Sequence, residues 1–126
     1  MEAKFVYTGI RVRDMDRAIA FYTGVLGMKL TGRQRIEVAS GEVANLVSEE
    51  GGHELELNCY DKGSKFDTPY TPGEGLDHLA FSVPDLDKAE EELKRLGHRV
   101  VEVLDTGKSR WFYIEDPDGN YIEFLG

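Results

Sequence analysis

The chain has 126 residues, enough for one domain with its own hydrophobic core. Apolar residues make up 40% and charged residues 31%, and 15 Lys and Arg stand against 24 Asp and Glu, a formal net charge of -9. An acidic surface of this kind repels nucleic acid phosphates and anionic lipid headgroups, so neither nucleic acid nor a membrane is an expected partner.

Residues 5–12, with β-branched and aromatic side chains around Tyr7 and Ile10, read as a strand. Asp14 or Asp16 offers the N-cap of a helix over residues 17–26, where Ala18, Ile19, Phe21, Tyr22, Val25 and Leu26 recur at helical spacing. Gly27 stops it. Short strands are expected next at residues 28–32, 35–40 and 43–48, with tight turns at Ser40-Gly41 and at residues 49–52. Residues 53–60 alternate polar and apolar and read as a strand. Residues 61–75 hold Gly63, Pro69, Pro72, Gly73 and Gly75 with little periodicity. They read as a linker between two modules, 1–60 and 76–126, of a single domain.

The second module opens with an apolar strand at residues 76–83, which Pro84 interrupts. Asp85 caps a helix over residues 87–96 with Ala89, Leu93 and Leu96 on one stripe, and Gly97 ends it. Strands follow at residues 99–104, 110–115 and 120–125, the last two joined by the turn Asp116-Pro117-Asp118-Gly119. The only cysteine, Cys59, forms no internal disulfide and no zinc site of the cysteine type, which fits a reducing compartment. The first residues do not read as a signal peptide, and no segment approaches the roughly 18 apolar residues of a membrane span. A soluble, cytoplasmic protein is the expectation.

The two modules repeat each other. Ile10-x-Val12-x-Asp14-x-Asp16-x-Ala18 lies over Phe81-x-Val83-x-Asp85-x-Asp87-x-Ala89 at an offset of 71, and Leu26-Gly27 over Leu96-Gly97 at 70. Leu55-Glu56-Leu57 lies over Ile122-Glu123-Phe124 at 67. The repeat pairs Tyr7 with His78 and Glu56 with Glu123. Strand parity places Glu56, Asn58 and Tyr60 on one face, Tyr121 and Glu123 on one face, and His78, Ala80 and Ser82 on one face, each opposite an apolar face that a helix can cover. Two carboxylates and one imidazole make a hard, oxygen-rich donor set suited to divalent Zn, Ni, Co, Mn or Fe.

Three segments carry a family resemblance: Val12-x-Asp14-x-x-x-Ala18-x-x-Phe21-Tyr22-x-x-Val25-Leu26-Gly27, Asp77-His78-Leu79-Ala80-Phe81, and Glu115-Asp116-Pro117-Asp118-Gly119-Asn120-x-Ile122-Glu123. Over nearly its whole length the chain resembles the vicinal oxygen chelate superfamily, which groups glyoxalase I, bleomycin resistance proteins, methylmalonyl-CoA epimerase and extradiol dioxygenases. The resemblance implies an α+β fold of paired βαβββ modules, a curved mixed sheet with a U-shaped cavity, and a homodimer whose sites form within one chain or across two. Carried over by position, the four metal ligands of glyoxalase I fall on Tyr7, Glu56, His78 and Glu123, with Tyr7 where the family has histidine.

Glyoxalase-I-like activity implies a metal-dependent lyase or isomerase acting on a small α-oxo or α-hydroxy compound, including a thiol adduct. Glu123 is the expected base with Glu56 the alternative, and Tyr7 is either a ligand or a hydroxyl donor. Arg11 matches an arginine that holds the glutathione carboxylate in that enzyme, while Tyr60 stands where the family has its accompanying asparagine and Asn58 is close by. Trp111 is the aromatic candidate for substrate contact. The alternative is a small-molecule-binding protein of the bleomycin resistance type, without chemistry, using Phe66, Tyr70, Trp111 and Tyr113. Epimerase and dioxygenase chemistry match less well, because both resemble sites with histidine at the Tyr7 position.

Overall fold

The structure, a computed structural model, describes residues 1–49 and 52–126. The chain divides into two compact units, Met1–Pro69 and Tyr70–Gly126. The first holds β1 (Thr8–Arg11), α1 (Met15–Ala20), β2 (Lys29–Ile36), β3 (Gly41–Val47) and β4 (Glu54–Tyr60). The second holds β5 (His78–Ser82), α2 (Leu86–Arg95), β6 (Glu102–Asp105), β7 (Arg110–Glu115) and β8 (Tyr121–Leu125). Both are βαβββ, and their strand orders correspond: β1-β4-β3-β2 and β5-β8-β7-β6. In each, the first strand pairs parallel with the last and the remaining pairs are antiparallel.

In the first unit Asp14 caps α1 by accepting the Arg17 N–H at 3.0 Å. The expected single helix over residues 17–26 changes character midway, for Phe21–Val25 form a π-helical turn. The Thr23 hydroxyl donates to the Ile19 carbonyl at 2.6 Å, a competing bond of the kind that distorts helices, and it falls where the helix widens. Ala18, Phe21 and Tyr22 are buried, as are Ile10, Ala44, Leu46 and Leu57 of the neighbouring sheet. Strand β1 is shorter than its apolar pattern, since its ladder with β4 begins at Thr8 opposite Leu55 and Phe5 and Val6 lie exposed.

The two short strands expected at residues 28–32 and 35–40 are one strand, β2. Thr31 is the extra residue of an irregularity between Leu30 and Gly32, which face Leu46 and Asn45, and Arg33 and Gln34 continue the ladder with Ala44 and Val43. Polar residues persist there because β2 is an edge strand, where Arg33 pairs with Asp16 and Glu42. The Ser40-Gly41 turn follows a 3-10 turn at Glu37–Ala39, with Ser40 at φ 51°. A Cβ on Gly41 would stand 2.9 Å from the Cys59 carbonyl oxygen, so only glycine permits this approach of β3 to β4. The turn expected at residues 49–52 lies partly outside the described residues.

In the second unit Asp85 caps α2 through the Lys88 N–H at 3.1 Å. Gly97, at φ 89°, ends it: Gly97 N–H bonds Lys94 O and His98 N–H bonds Leu93 O, a Schellman arrangement. Leu93 is buried as expected of the apolar stripe, whereas Leu96 at the helix end is half-exposed. Strand β6 is displaced toward the C-terminus from the expected 99–104, and its four residues are exposed at the sheet edge. The β7–β8 turn forms around Asp116, whose carboxylate accepts from Asp118 N, Asn120 N and Asn120 Nδ2 at 2.8 to 2.9 Å. Beneath it lie Phe112, Ile114 and Ile122, fully buried, with Phe112 stacked on Phe124 at 5.0 Å. Among the described residues no helix is long and apolar enough to cross a membrane.

Candidate functional site

Alternation gives each sheet one apolar and one polar face. In the second unit the polar face carries His78 and Ala80 on β5, Tyr121 and Glu123 on β8, and Trp111 and Tyr113 on β7, placed by the registers Ala80 to Glu123 and Tyr113 to Glu123. His78, the first residue of the edge strand β5, meets two carboxylates. Its Nδ1 lies 2.6 Å from Asp77 Oδ2 and its Nε2 lies 3.1 Å from Glu123 Oε2. The other oxygen of Glu123, Oε1, accepts the Tyr113 hydroxyl at 2.9 Å. The Tyr113 ring stands edge-on to His78, with centroids 5.6 Å apart. Glu123 is 13% exposed and His78 31%. A pocket of about 300 Å³ adjoins, lined by Asp77, Val101, Glu102, Tyr113 and Tyr121.

The electrostatics follow from these contacts. The hydrogen bond that His78 donates to Asp77 raises the pKa of His78 above the ordinary histidine value, desolvation opposes it, and the Glu123 charge adds to the rise. Burial first, then the Glu123 hydrogen bond, raise Tyr113, so it stays a neutral phenol and a donor. For His78 a raised value means that the charged network stabilises the fold fully below the ordinary histidine pKa and ceases to do so as pH climbs through the raised one. In metal-free protein the unfolding-midpoint advantage of wild type over His78→Gln is therefore largest near about pH 5 to 6 and shrinks on the alkaline side. A thermal-melt series across pH checks this; an advantage that grows with pH would contradict it.

The polar face of the first unit carries Arg11, Glu54, Glu56, Asn58 and Tyr60, with Asn45 opposite Glu56 on β3. Asn45 Nδ2 lies 3.2 Å from Glu54 Oε1 and 3.5 Å from Glu56 Oε2. Asn58 Nδ2 donates to Ile10 O and Glu56 O, both at 3.4 Å. Arg11 Nη1 donates to Phe66 O at 2.7 Å and to Thr68, which anchors the chain beyond β4, and Tyr60 packs against Phe66 at 5.5 Å. Tyr7 sits just before β1, 43% exposed, and its ring lies 3.9 Å from where a Cβ on Gly9 would be.

Of the residues singled out in the sequence, the structure thus brings His78 and Glu123 into contact. Trp111 stands farther along β7, opposite Leu125 and Leu104. Among the described residues no group of three or more His, Cys, Asp or Glu side chains gathers as a metal cluster. The reason at His78 is directional, since its two nitrogens address different carboxylates, Asp77 and Glu123. Asp77, Asn45 and the hydroxyl role of Tyr113 went unread in the sequence. Adjacency to His78 was a signal for Asp77, and shared parity with Trp111 was one for Tyr113.

Residues 4–124 match the model of a family described as the Glyoxalase/Bleomycin resistance protein/Dioxygenase superfamily. A lactoylglutathione lyase of Pseudomonas aeruginosa is 33% identical over 145 residues, covering 98% of this chain and 82% of that protein. The uncharacterized protein YwbC of Bacillus subtilis is 37% identical over 132 residues, covering 99% of this chain and 98% of that one. Among solved structures, the trypanothione-dependent glyoxalase I of Leishmania major superposes with a TM-score of 0.78 at 30% identity, covering 99% of this chain and 87% of that one.

Proposed function

Because the chain belongs to the glyoxalase/bleomycin resistance protein/dioxygenase superfamily, we propose that it is a glyoxalase-I-like, metal-dependent lyase or isomerase that moves a proton between adjacent carbons of a small α-oxo or α-hydroxy compound, a thiol adduct included. The observation that carries the reading is the contact of His78 Nε2 with Glu123 Oε2 on a polar sheet face, with Asp77 on the far side of the imidazole.

This donor pair fits a divalent cation. His78 and Glu123, brought within 3.1 Å of each other, offer one imidazole nitrogen and one carboxylate, donor types that would hold such an ion. Asp77, by accepting the Nδ1 proton, leaves Nε2 as the ligating nitrogen, the usual outer-shell arrangement for a metal-bound histidine. His78 and Glu123 would hold the ion, with Glu56 and Tyr7 of the first unit as the further ligands of the proposal. When bound, the ion supplies positive charge where substrate oxygens take up negative charge.

Glu123 accepts the proton from the carbon beside the carbonyl and returns it to the neighbouring carbon; Glu56 is the alternative carrier. If Tyr7 does not ligate the ion, its phenol offers a hydrogen bond to a substrate oxygen instead. Arg11, Asn58, Tyr60 and Trp111 contact the rest of the substrate. A small-molecule substrate, a homodimer and a cytoplasmic location belong to the same proposal.

Elemental analysis of protein produced with added Zn, Ni, Co, Mn or Fe is expected to find close to one divalent ion per site. His78→Ala is expected to weaken retention at least about 10- to 100-fold in competition with a chelator. Wild type that retains no metal and turns over no hemithioacetal of methylglyoxal, yet binds small aromatic ligands, would belong with the non-catalytic binding proteins instead.

A further inference from the structure

The phenol of Tyr113 touches the proton carrier, and the reaction proposed above gives it no task. Tyr113 stands directly opposite Glu123 in the antiparallel β7–β8 pair. Its hydroxyl donates to Oε1 at 2.9 Å while Oε2 faces His78 at 3.1 Å. The two oxygens of one carboxylate are therefore divided between partners on two different strands. The ring that delivers the hydroxyl is itself held edge-on between His78, at 5.6 Å, and Tyr121, at 6.3 Å.

The other carboxylate is held differently. The register position opposite Glu56 is Asn45, whose amide nitrogen is 3.5 Å from Glu56 and is shared with Glu54 at 3.2 Å. A bond of 3.5 Å from a shared donor restrains little, whereas one of 2.9 Å from a fixed ring restrains a carboxylate to one orientation. Orientation matters because a proton carrier works only when its accepting oxygen is already aimed at the carbon acid.

We propose that Tyr113 is a positioning residue that locks Glu123 through Oε1, holds Oε2 on the side of His78 where the reaction is placed, and so selects Glu123 over Glu56 as the proton carrier. This rests on the reading of Glu123 as base in a lyase or isomerase. The phenol touches the carboxylate and transfers no proton itself.

The Tyr113→Phe variant removes one oxygen and keeps the ring. It is expected to lower kcat for the hemithioacetal about 10- to 100-fold, to leave KM within about threefold, and to leave the unfolding midpoint in place. In a Glu123→Gln background the same change should cost less than about twofold more, because the group it positions is already inactive. A purely structural role would move the midpoint and cost the same in both backgrounds. Unchanged kcat in Tyr113→Phe beside an active wild type overturns the positioning role and leaves the reaction standing. If wild type shows no turnover, the reaction is wrong, and the carbon-13 resonance of the Glu123 carboxyl decides on Tyr113. A resonance displaced by Tyr113→Phe supports the lock, and one unmoved overturns it.

Discussion

Glu123→Gln is expected to lower turnover by about 100- to 10,000-fold, the range over which a positioned general base acts, equivalent to about 3 to 5 kcal/mol of transition-state stabilisation. The substitution is nearly isosteric. A glutamine oxygen still accepts the Tyr113 hydroxyl that now reaches Oε1 at 2.9 Å, and its amide still meets His78 across the present 3.1 Å gap. What disappears is the negative charge and the capacity to take a proton. The loss should therefore fall on kcat, with the far-ultraviolet circular dichroism and the unfolding midpoint close to wild type. Steady-state kinetics on the methylglyoxal hemithioacetal provides the measurement. Turnover within about threefold of wild type would move the base to Glu56, and Glu56→Gln would then have to carry the large loss. If neither substitution costs activity, the proposed reaction is wrong.

Strand parity and caps were readable in the chain because each depends on a few neighbouring residues. Asp14 and Asp85 bond the N–H groups three positions ahead, as cap chemistry requires. The Asp116 turn closes with Gly119 at φ 90°, and β7 spans residues 110–115 as its alternation implies. The internal repeat reached further, because aligning Tyr7 with His78 and Glu56 with Glu123 also sets Gly9 against Ala80. In the two parallel ladders those small residues stand opposite the two carboxylates.

Lateral neighbours were not readable. Parity says which face a side chain joins, and nothing about which residue of the next strand it meets. That is decided by register, which depends on turn geometry and on irregularities such as the one at Leu30 and Gly32. Hence the bonds from Tyr113 to Glu123 and from Asn45 to Glu56 emerge only once the strands are paired. The same limit explains β2. Arg33 and Gln34 look like a break in an apolar pattern, yet an edge strand tolerates them, and the partners of Arg33, Asp16 and Glu42, lie elsewhere in the chain. The ligand-like residues of the first unit show a further gap. The role assigned to Arg11 came from a matched position, and its bonds to Phe66 and Thr68 depend on the path taken by the segment after β4.

Phe112→Ala is expected to cost about 3 to 5 kcal/mol of folding stability. Its side chain is fully buried, stacked on Phe124 at 5.0 Å with an interplanar angle of 16°, and it faces Phe124 and Val103 in the ladders on either side. Removing the ring forfeits its transfer free energy and leaves a cavity that Phe124 and the neighbouring Ile114 and Ile122 fill only in part. Phe112→Leu, which keeps most of the volume, should cost less than half as much. The position also tests how packing serves the site, because Phe112 lies between Trp111 and Tyr113 in β7 and stacks on Phe124 of β8. At temperatures where Phe112→Ala is still folded, a slackened β7 should lengthen the Tyr113 to Glu123 contact and lower kcat as well. Tyr113→Phe, in contrast, should lower kcat with the core intact. Urea unfolding with a linear extrapolation gives the stability change; a loss below about 1 kcal/mol would mean that the aromatic layer beneath the second sheet is not packed as described.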